Sequence, residues 1–282
     1  MTSVKITNQV ILEFQTNLKN EEKSGLTIKK YIHDVETFAS FLNGREISKE
    51  LLIEYKRHLQ TKGYSPRSVN SVIASINSLL RFLSLDDLKI KVVKIQQQVF
   101  CSEEKELTKD DYFSLCKAAS TPRFYKIGLI IQTIAGTGIR ISELQFITVD
   151  AIRKGEVSVC CKGKNRTIFI VRDLQKKLLR YIAEQKITSG YVFVSKNGKP
   201  LDRSNIWREM KKLCCEAGVN PQKVFPHNLR HLFARVYYNL EKDIAKLADI
   251  LGHSSINTTR IYIVSTGSEH RTQMENMNLV LS

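Results

Sequence analysis

The sequence predicts a mainly α-helical protein of two domains with a small antiparallel β-hairpin. At 282 residues the chain is long for one ordinary domain and suits two, each with its own core. Apolar residues recur at helical spacing along most of the chain. A period of two replaces that spacing over residues 156–171, which indicates the hairpin.

Four helices are expected in the first domain, residues 1–88, and a basic linker is expected at residues 89–106. Serine and threonine can cap helix starts, and proline is tolerated in the first turn. The predicted helices are Val4–Leu18, Thr27–Leu42 with Thr27 as cap, Lys49–Thr61 with Ser48 as cap, and Pro66 to about Leu83 after Ser65.

The second domain, residues 107–264, is predicted to open with a helix capped by Thr108. An apolar helix follows at Tyr125–Gly136, and Gly136 and Gly138 suit a sharp turn that presents Arg140 at the next helix start. The hairpin comes next, with its turn predicted at residues 162–166.

Beyond the hairpin, the pattern predicts a short strand at Tyr191–Val194 and a helix that Ser204 caps and in which Trp207 packs. Three more helices are expected at residues 227–239, 243–251 and 255–264. Residues 265–282 form a tail with an apolar end.

The charge and composition narrow the class of protein. A formal charge of +16, spread over both halves of the chain, indicates a polyanionic partner, usually nucleic acid. No segment reaches the ~18 apolar residues of a membrane span, and no signal-peptide core stands at the start, so no membrane association and a cytoplasmic location are expected. The six cysteines lack zinc-site spacing and are interpreted as core thiols, with no metal or cofactor expected.

A series of basic residues followed by a tyrosine has the composition expected of a site that cleaves a phosphodiester. Negative charge grows on the non-bridging oxygens of a phosphodiester under attack, and arginine matches those oxygens in pairs. A tyrosine hydroxyl, with an ordinary pKa near ~10, is a weak nucleophile that needs a neighbour to take its proton. The candidate residues are Arg140, Lys162, His227, Arg230, His253 and Tyr262.

The order of these residues, within the runs Thr137–Leu144, Phe225–His231 and Leu251–Tyr262, resembles the tyrosine site-specific recombinases of the phage-integrase and Xer family. That family's pattern is Arg, Lys, His-x-x-Arg, His or Trp, and Tyr. The resemblance covers about Leu107 to Tyr262, whereas the first hundred residues are similar only in style. It implies a helical, SAM-like core-binding domain followed by a tyrosine-recombinase catalytic domain.

The resemblance also implies a mechanism. Tyr262 attacks a scissile phosphate and forms a 3′-phosphotyrosyl link with a free 5′ hydroxyl. Arg140, Arg230 and His253 hold the non-bridging oxygens, Lys162 at the hairpin tip acts as general acid, and His227 assists proton transfer at the tyrosine. A partner strand's 5′ hydroxyl reverses the attack, so strands are exchanged between two short sites through a Holliday junction.

The hairpin departs from the family's pattern. Cys161 stands where the pattern has glycine, and the turn is shorter by a residue, so Lys164 is a second candidate for the general acid. Glu143 is expected to support the site from behind, with a surface position as the alternative. His231 is expected to point away from the site, as a core or surface histidine.

The partners implied are double-stranded DNA with inverted-repeat core sites, three further protomers joined through the tail at residues 265–282, and in some systems accessory proteins. A frayed tail is the alternative. The expected DNA contacts near helix starts and on the hairpin are Lys29, Lys30, Tyr31, Lys62, Tyr64, Arg67, Lys164 and Arg166. Two other classes remain: a type IB topoisomerase, and a non-catalytic DNA-binding accessory protein, which the full set of catalytic residue types disfavours.

Overall fold

A computed structural model describes residues 4–95, 104, 106–161, 164–195, 197–263, 271–272 and 274–277. The chain divides into two compact units, Met1–Gln97 and Gln98–Ser282. Helix dominates both units, and the strands pair as an antiparallel hairpin, as the sequence predicted. Within the described part of the chain, no helix combines the length and apolar character that crossing a membrane requires.

The described residues of the first unit form four α-helices around a core that includes Phe14, Phe38 and Leu80. The helices are α1 Asn8–Asn20, α2 Gly25–Leu42, α3 Lys49–Thr61 and α4 Pro66–Phe82. Ser48 and Ser65 cap α3 and α4 as expected.

Two predicted helix starts were wrong, because a nearby side chain caps the helix instead. Helix α1 starts at Asn8 rather than Val4, since the Thr7 side chain accepts from the Val10 amide. Helix α2 starts two residues before Thr27, because Ser24 is its N-cap and accepts from the Thr27 amide at 3.3 Å.

The segment that follows α4 is fastened to the first unit by polar side chains. A 3₁₀ turn at Asp86–Leu88 leads into it. Lys49 and Lys56 of α3 donate to the carbonyls of Lys89 and Lys91, at 2.5 and 2.7 Å. Asn70 exchanges two hydrogen bonds with the main chain of Val93. The first part of the expected linker is therefore bound to the unit that precedes it.

The second unit is helical around the hairpin. Its described helices are α5 Lys109–Ala118, α6 Tyr125–Thr137, α7 Val149–Lys154, α8 Arg172–Glu184, α9 Arg203–Ala217, α10 Pro226–Glu241, α11 Ile244–Leu251 and α12 Ile256–Arg260. Thr108 caps α5 as expected, in a capping box with Asp111. Helix α6 is buried along most of its length, and α10 packs against it. These two helices form the centre on which the site is built.

The hairpin consists of β1 Glu156–Cys161 and β2 Lys164–Phe169. Cys161 pairs with Lys164 and Glu156 pairs with Phe169. The predicted turn at residues 162–166 was too long, because Lys164, Asn165 and Arg166 already belong to β2. Val157, Val159 and Ile168 are buried on the face toward the core, as a period of two requires.

Four further expectations for this unit were wrong. The strand at Tyr191–Val194 is replaced by isolated bridges, from Thr148 to Tyr191 and from Val194 to Pro200. Asp202, rather than Ser204, caps α9. Trp207 does not pack in the core: it is 49% exposed. Helix α12 is also shorter than expected and ends at Arg260.

Candidate active site

Arg140 is placed by the turn that ends α6. Gly138 ends that helix with φ +65°, where a Cβ would lie 2.6 Å from the Phe233 ring. The chain then enters a 3₁₀ helix, Ile141–Phe146, with Arg140 as its N-cap. The Arg140 guanidinium donates to Glu143 at 2.9 Å and to the Gly252 carbonyl at 3.2 Å. Its side chain remains about one-third exposed, at 36%, so it also faces solvent.

Glu143 lies behind Arg140, and the alternative of a surface glutamate is wrong, since this side chain is buried. One carboxylate oxygen accepts from the Arg140 side chain, and the other accepts from the Arg140 amide at 2.9 Å. Burial alone would raise the pKa of Glu143, but these hydrogen bonds and the charges of Arg166 and Arg140 lower it. Glu143 is therefore an ionised support for Arg140 at neutral pH.

Arg230 is buried, with 1% of its surface exposed, and comes from α10. It donates to the carbonyls of Gly138 and Leu251, the latter at 2.6 Å. Burial, and next the Arg140 charge, lower the pKa of Arg230 to about 10, so it stays charged at neutral pH. Two neighbouring guanidinium groups, one of them buried, favour the binding of an anion on the side of the site that faces solvent.

His253 follows the end of α11 and contacts Arg230. Its Nε2 lies 3.0 Å from the Arg230 guanidinium, and its Nδ1 lies 2.9 Å from the Thr259 hydroxyl. Because arginine can only donate, Nε2 is the acceptor in this arrangement and Nδ1 carries the proton. Burial and the charges of Arg230, Arg140 and Arg166 lower the pKa of His253 to about 4.

Tyr262 lies within this group of side chains, two residues beyond the end of α12, and is 6% exposed. Its hydroxyl is 3.4 Å from His227 Nδ1. The Arg230 guanidinium lies 5.9 Å from the centre of the tyrosine ring. The structure thus brings together five of the six predicted catalytic residues, namely Arg140, His227, Arg230, His253 and Tyr262.

His227 occupies the first turn of α10 and keeps part of its ring open to solvent. Partial burial, followed by the charges of Arg230 and Arg140, lowers the pKa of His227 below its ordinary value. A neutral imidazole beside the tyrosine hydroxyl is able to accept a proton.

His231 belongs to the site, so the expectation that it points away was wrong. Its ring stacks on the Tyr262 ring, with centroids 4.2 Å apart and planes 22° from parallel. It also meets the His227 ring edge-on at 4.8 Å. His231 follows His227 by one helical turn, and this i,i+4 spacing was the signal in the sequence that could have placed both on one face. Burial lowers the pKa of His231 to about 4.

A pocket of about 750 Å³ opens in front of the arginines. Arg140, His227 and Arg230 line one part of it, and the first turns of α9 line another through Arg203 and Arg208. The exposed Trp207 stands between those two cations along α9. The arrangement offers an anion four guanidinium groups together with an aromatic wall.

Lys162, the sixth predicted catalytic residue, lies outside the described residues, and Lys164 is the first residue of β2. The choice between them as general acid stays a prediction. Among the described residues, no group of three or more His, Cys, Asp or Glu side chains is placed to hold a metal ion.

The expected DNA contacts of the first unit fall into two sets. Lys29, Lys62, Tyr64 and Arg67 are exposed. Lys30, by contrast, is turned toward its own unit, because its ammonium contacts Asp34 at 2.5 Å and the Ser71 carbonyl at 2.6 Å. Tyr31 is half-buried against a core cluster.

Arg166, which was expected on the DNA surface, is also turned inward. Its guanidinium donates to Glu143 at 2.5 Å and to the Ile250 carbonyl at 3.0 Å, and its side chain is 11% exposed. Period-two patterning fixes which face of a strand a side chain takes, but not what a long side chain reaches.

Comparison with known proteins agrees with this fold and site. Residues 105–269 match the phage integrase family, and residues 11–86 match the phage integrase N-terminal SAM-like domain. Tyrosine recombinase XerA of Pyrococcus furiosus is 30% identical in an alignment 289 positions long. The alignment covers 99% of this chain and 98% of that protein.

Solved structures show the same likeness. The crystal structure of XerA recombinase aligns with 98% of this chain and 100% of its own, at 28% identity and a TM-score of 0.55. A lambda integrase fragment, residues 75–356, crystallised as a dimer bound to a COC′ core site, aligns with 93% of this chain and 96% of its own. Its identity is 15% and its TM-score 0.74, which is a likeness of fold.

Fold and site together define a tyrosine recombinase, an enzyme with a SAM-like N-terminal domain and a catalytic integrase domain. The chain belongs to the phage integrase family.

Proposed function

We propose that this recombinase cleaves and rejoins double-stranded DNA at short inverted-repeat core sites through a phosphotyrosyl link at Tyr262. The observation that carries the proposal is the position of Tyr262: its hydroxyl lies 3.4 Å from His227, and its ring centre lies 5.9 Å from the guanidinium of Arg230, which lines a pocket together with His227 and Arg140. A nucleophile, a base and two cationic donors are the parts that phosphoryl transfer to a side chain needs.

The cleavage step uses these residues as follows. The Tyr262 oxygen attacks the phosphorus and forms a P–O bond, while the phenolic proton passes to neutral His227. The bond from phosphorus to the 5′ oxygen breaks, and that oxygen takes a proton from the hairpin lysine, with Lys162 as the first candidate and Lys164 as the second. The 3′ end stays joined to Tyr262, so the energy of the diester is retained for resealing.

Arg140 and Arg230 stabilise the charge that grows on the non-bridging oxygens. Arg140 is partly exposed and lines the pocket, so it can meet a phosphate directly. His253 accepts a hydrogen bond from Arg230 and holds that guanidinium in place. For His253 itself to donate to a phosphate oxygen, its proton must move to Nε2.

DNA is proposed as the substrate on the strength of the charge of +16, the cationic pocket and the lambda integrase dimer on its core site. Reversal of the attack by a 5′ hydroxyl from a second site exchanges strands through a Holliday junction. We further propose a tetramer on two sites, joined through residues 265–282, and action in the cytoplasm. Accessory proteins are compatible with this scheme.

The test is a nicked suicide duplex made from the repeats that flank the protein's own gene. Cleavage next to a nick releases a short strand and traps the covalent complex, which a denaturing gel resolves. Wild type should form the complex, and Tyr262→Phe should bind the duplex without forming it. A complex that persists in Tyr262→Phe would assign the nucleophile elsewhere, and bound wild-type protein without any complex would favour a non-catalytic accessory role.

A further inference from the structure

Arg166 is not one of the six predicted catalytic residues, but its side chain contacts the groups that support them. It lies on β2, and its side chain leaves the hairpin and ends beneath the catalytic arginines. One terminal nitrogen is 2.5 Å from the second carboxylate oxygen of Glu143. The other is 3.0 Å from the carbonyl of Ile250, in the last turn of α11.

Each of these contacts leads to the catalytic arginines. Glu143, which Arg166 holds by one oxygen, holds the Arg140 guanidinium by the other at 2.9 Å. Arg166 also holds the last turn of α11 at the Ile250 carbonyl. The next two residues of the chain supply carbonyls that accept from the catalytic arginines. Leu251 accepts from Arg230 at 2.6 Å, and Gly252 accepts from Arg140 at 3.2 Å. One guanidinium thus supports the acceptors of both.

The chain leaves room for this side chain. Gly252 ends α11 with φ +63°, and a Cβ there would lie 2.6 Å from Arg166 Cδ. The stem of Arg166 therefore lies against Gly252, which has no side chain and whose carbonyl accepts from Arg140. A lysine could not replace the fork, because its single ammonium is a point donor that cannot match two acceptors in fixed directions.

We propose that Arg166 is a positioning residue for cleavage: through Glu143 and the last turn of α11, it fixes Arg140 and Arg230 where they meet the non-bridging oxygens of the scissile phosphate. The inference rests on the proposed function. Arg166 itself touches no reacting atom.

The experiment compares two suicide duplexes in single-turnover reactions of the full chain. One carries the ordinary scissile phosphate, and the other carries a methylphosphonate there, in which a methyl group replaces one non-bridging oxygen and the group is uncharged. On the phosphate, Arg166→Gln should form the covalent complex about 10²-fold more slowly than wild type, the scale of loss when a reacting group is misplaced. On the methylphosphonate the defect should shrink to roughly threefold, since the arginines have less charge to stabilise.

Three controls make the result specific. Arg180→Gln removes an exposed arginine of α8 and should leave the rate unchanged. Arg166→Lys should restore only part of the rate. In a Glu143→Gln background, the further change Arg166→Gln should cost less than it does in wild type, because the part of its effect that passes through Glu143 is already lost. Thermal melts and duplex-binding titrations check that each variant is folded and binds.

The outcomes separate the two proposals. If wild type forms no Tyr262-dependent complex, the proposed function is wrong and the inference falls with it. If wild type reacts and Arg166→Gln cleaves the phosphate duplex at the wild-type rate, the inference alone is wrong. An equal loss on both duplexes also overturns it, because it would show a general structural defect rather than misplaced cationic donors.

Discussion

The catalytic arginines are held mainly by main-chain oxygens. Arg230 donates to the carbonyls of Gly138 and Leu251, and Arg140 donates to the carbonyl of Gly252. Burial of an arginine is costly unless its donors are satisfied, and a carbonyl satisfies them without adding a negative charge that would compete with a phosphate. The site therefore keeps most of its positive charge for the substrate, with Glu143 as the carboxylate beneath it.

Substitution of His231 tests how far the orientation of Tyr262 depends on the His231 ring that stacks on it. His231→Leu removes the stacked ring, worth about 0.5–1.5 kcal/mol as an aromatic pair, and should slow formation of the covalent complex by up to about tenfold. His231→Phe keeps a ring of similar shape and should retain most of the rate. Single-turnover cleavage of the suicide duplex measures both.

Duplex affinity should stay the same in both His231 variants, because the residue lies under the tyrosine rather than in the pocket lining. Equal rates for the leucine and phenylalanine variants would show that stacking does not orient Tyr262.

At the scale of elements, two turns determine the positions of catalytic residues. The turn at Gly138 joins α6 to Arg140, and the turn at Gly252 joins α11 to His253. Both glycines take a left-handed conformation that a residue with a side chain adopts only at a cost. Each turn also presents a carbonyl to an arginine.

Gly138→Ala should be far more destabilising than Gly218→Ala. Both glycines end a helix at nearly the same φ, +65° and +64°, so the conformational cost, about 1–2 kcal/mol, is shared. Only Gly138 is also crowded, because its Cβ would lie 2.6 Å from Phe233, while nothing lies within 4 Å at Gly218. Urea unfolding should show the larger loss for Gly138→Ala, together with lost cleavage. Equal losses would mean that Phe233 moves aside freely.

The sequence was informative where local chemistry decides the structure. Ser48, Ser65 and Thr108 cap their helices because a hydroxyl beside a free amide is a local interaction. It was less informative where tertiary contacts decide. Arg166 and Lys30 look like surface cations in sequence, but Arg166 meets the carboxylate of Glu143 and Lys30 donates to the Ser71 carbonyl on α4, and both partners are distant along the chain. His231 was missed because its partner, Tyr262, is far away in sequence.

At the scale of the whole molecule, the expected division into two domains corresponds to two compact units, and the family matches fall one in each. The exact boundaries, 1–88, 89–106, 107–264 and 265–282, remain proposals. The fastening of Lys89–Val93 to α3 and α4 indicates that the first unit extends beyond residue 88.

Removal of the tail tests the proposed assembly. Deletion of residues 268–282 should abolish the pairing of two DNA sites, while binding to one site is retained, because the tail is proposed to join protomers rather than to bind DNA. Native gels with one-site and two-site duplexes, alongside cleavage of the suicide duplex, distinguish these steps. Two-site complexes of normal stability after the deletion would rule out the tail as the connection.

The carbonyls of Gly138, Leu251 and Gly252 have a consequence for how this enzyme can change over time. A main-chain oxygen is the same whatever side chain it accompanies, so an alignment of relatives carries no direct record of these contacts. Substitutions at Leu251 leave the oxygen in place, whereas insertion of a single residue in the last turn of α11 would shift the acceptors of both arginines together. Substitutions along this turn keep the acceptor oxygens, except at Gly252, where a side chain would collide with Arg166, and a change in the length of the turn does not keep them.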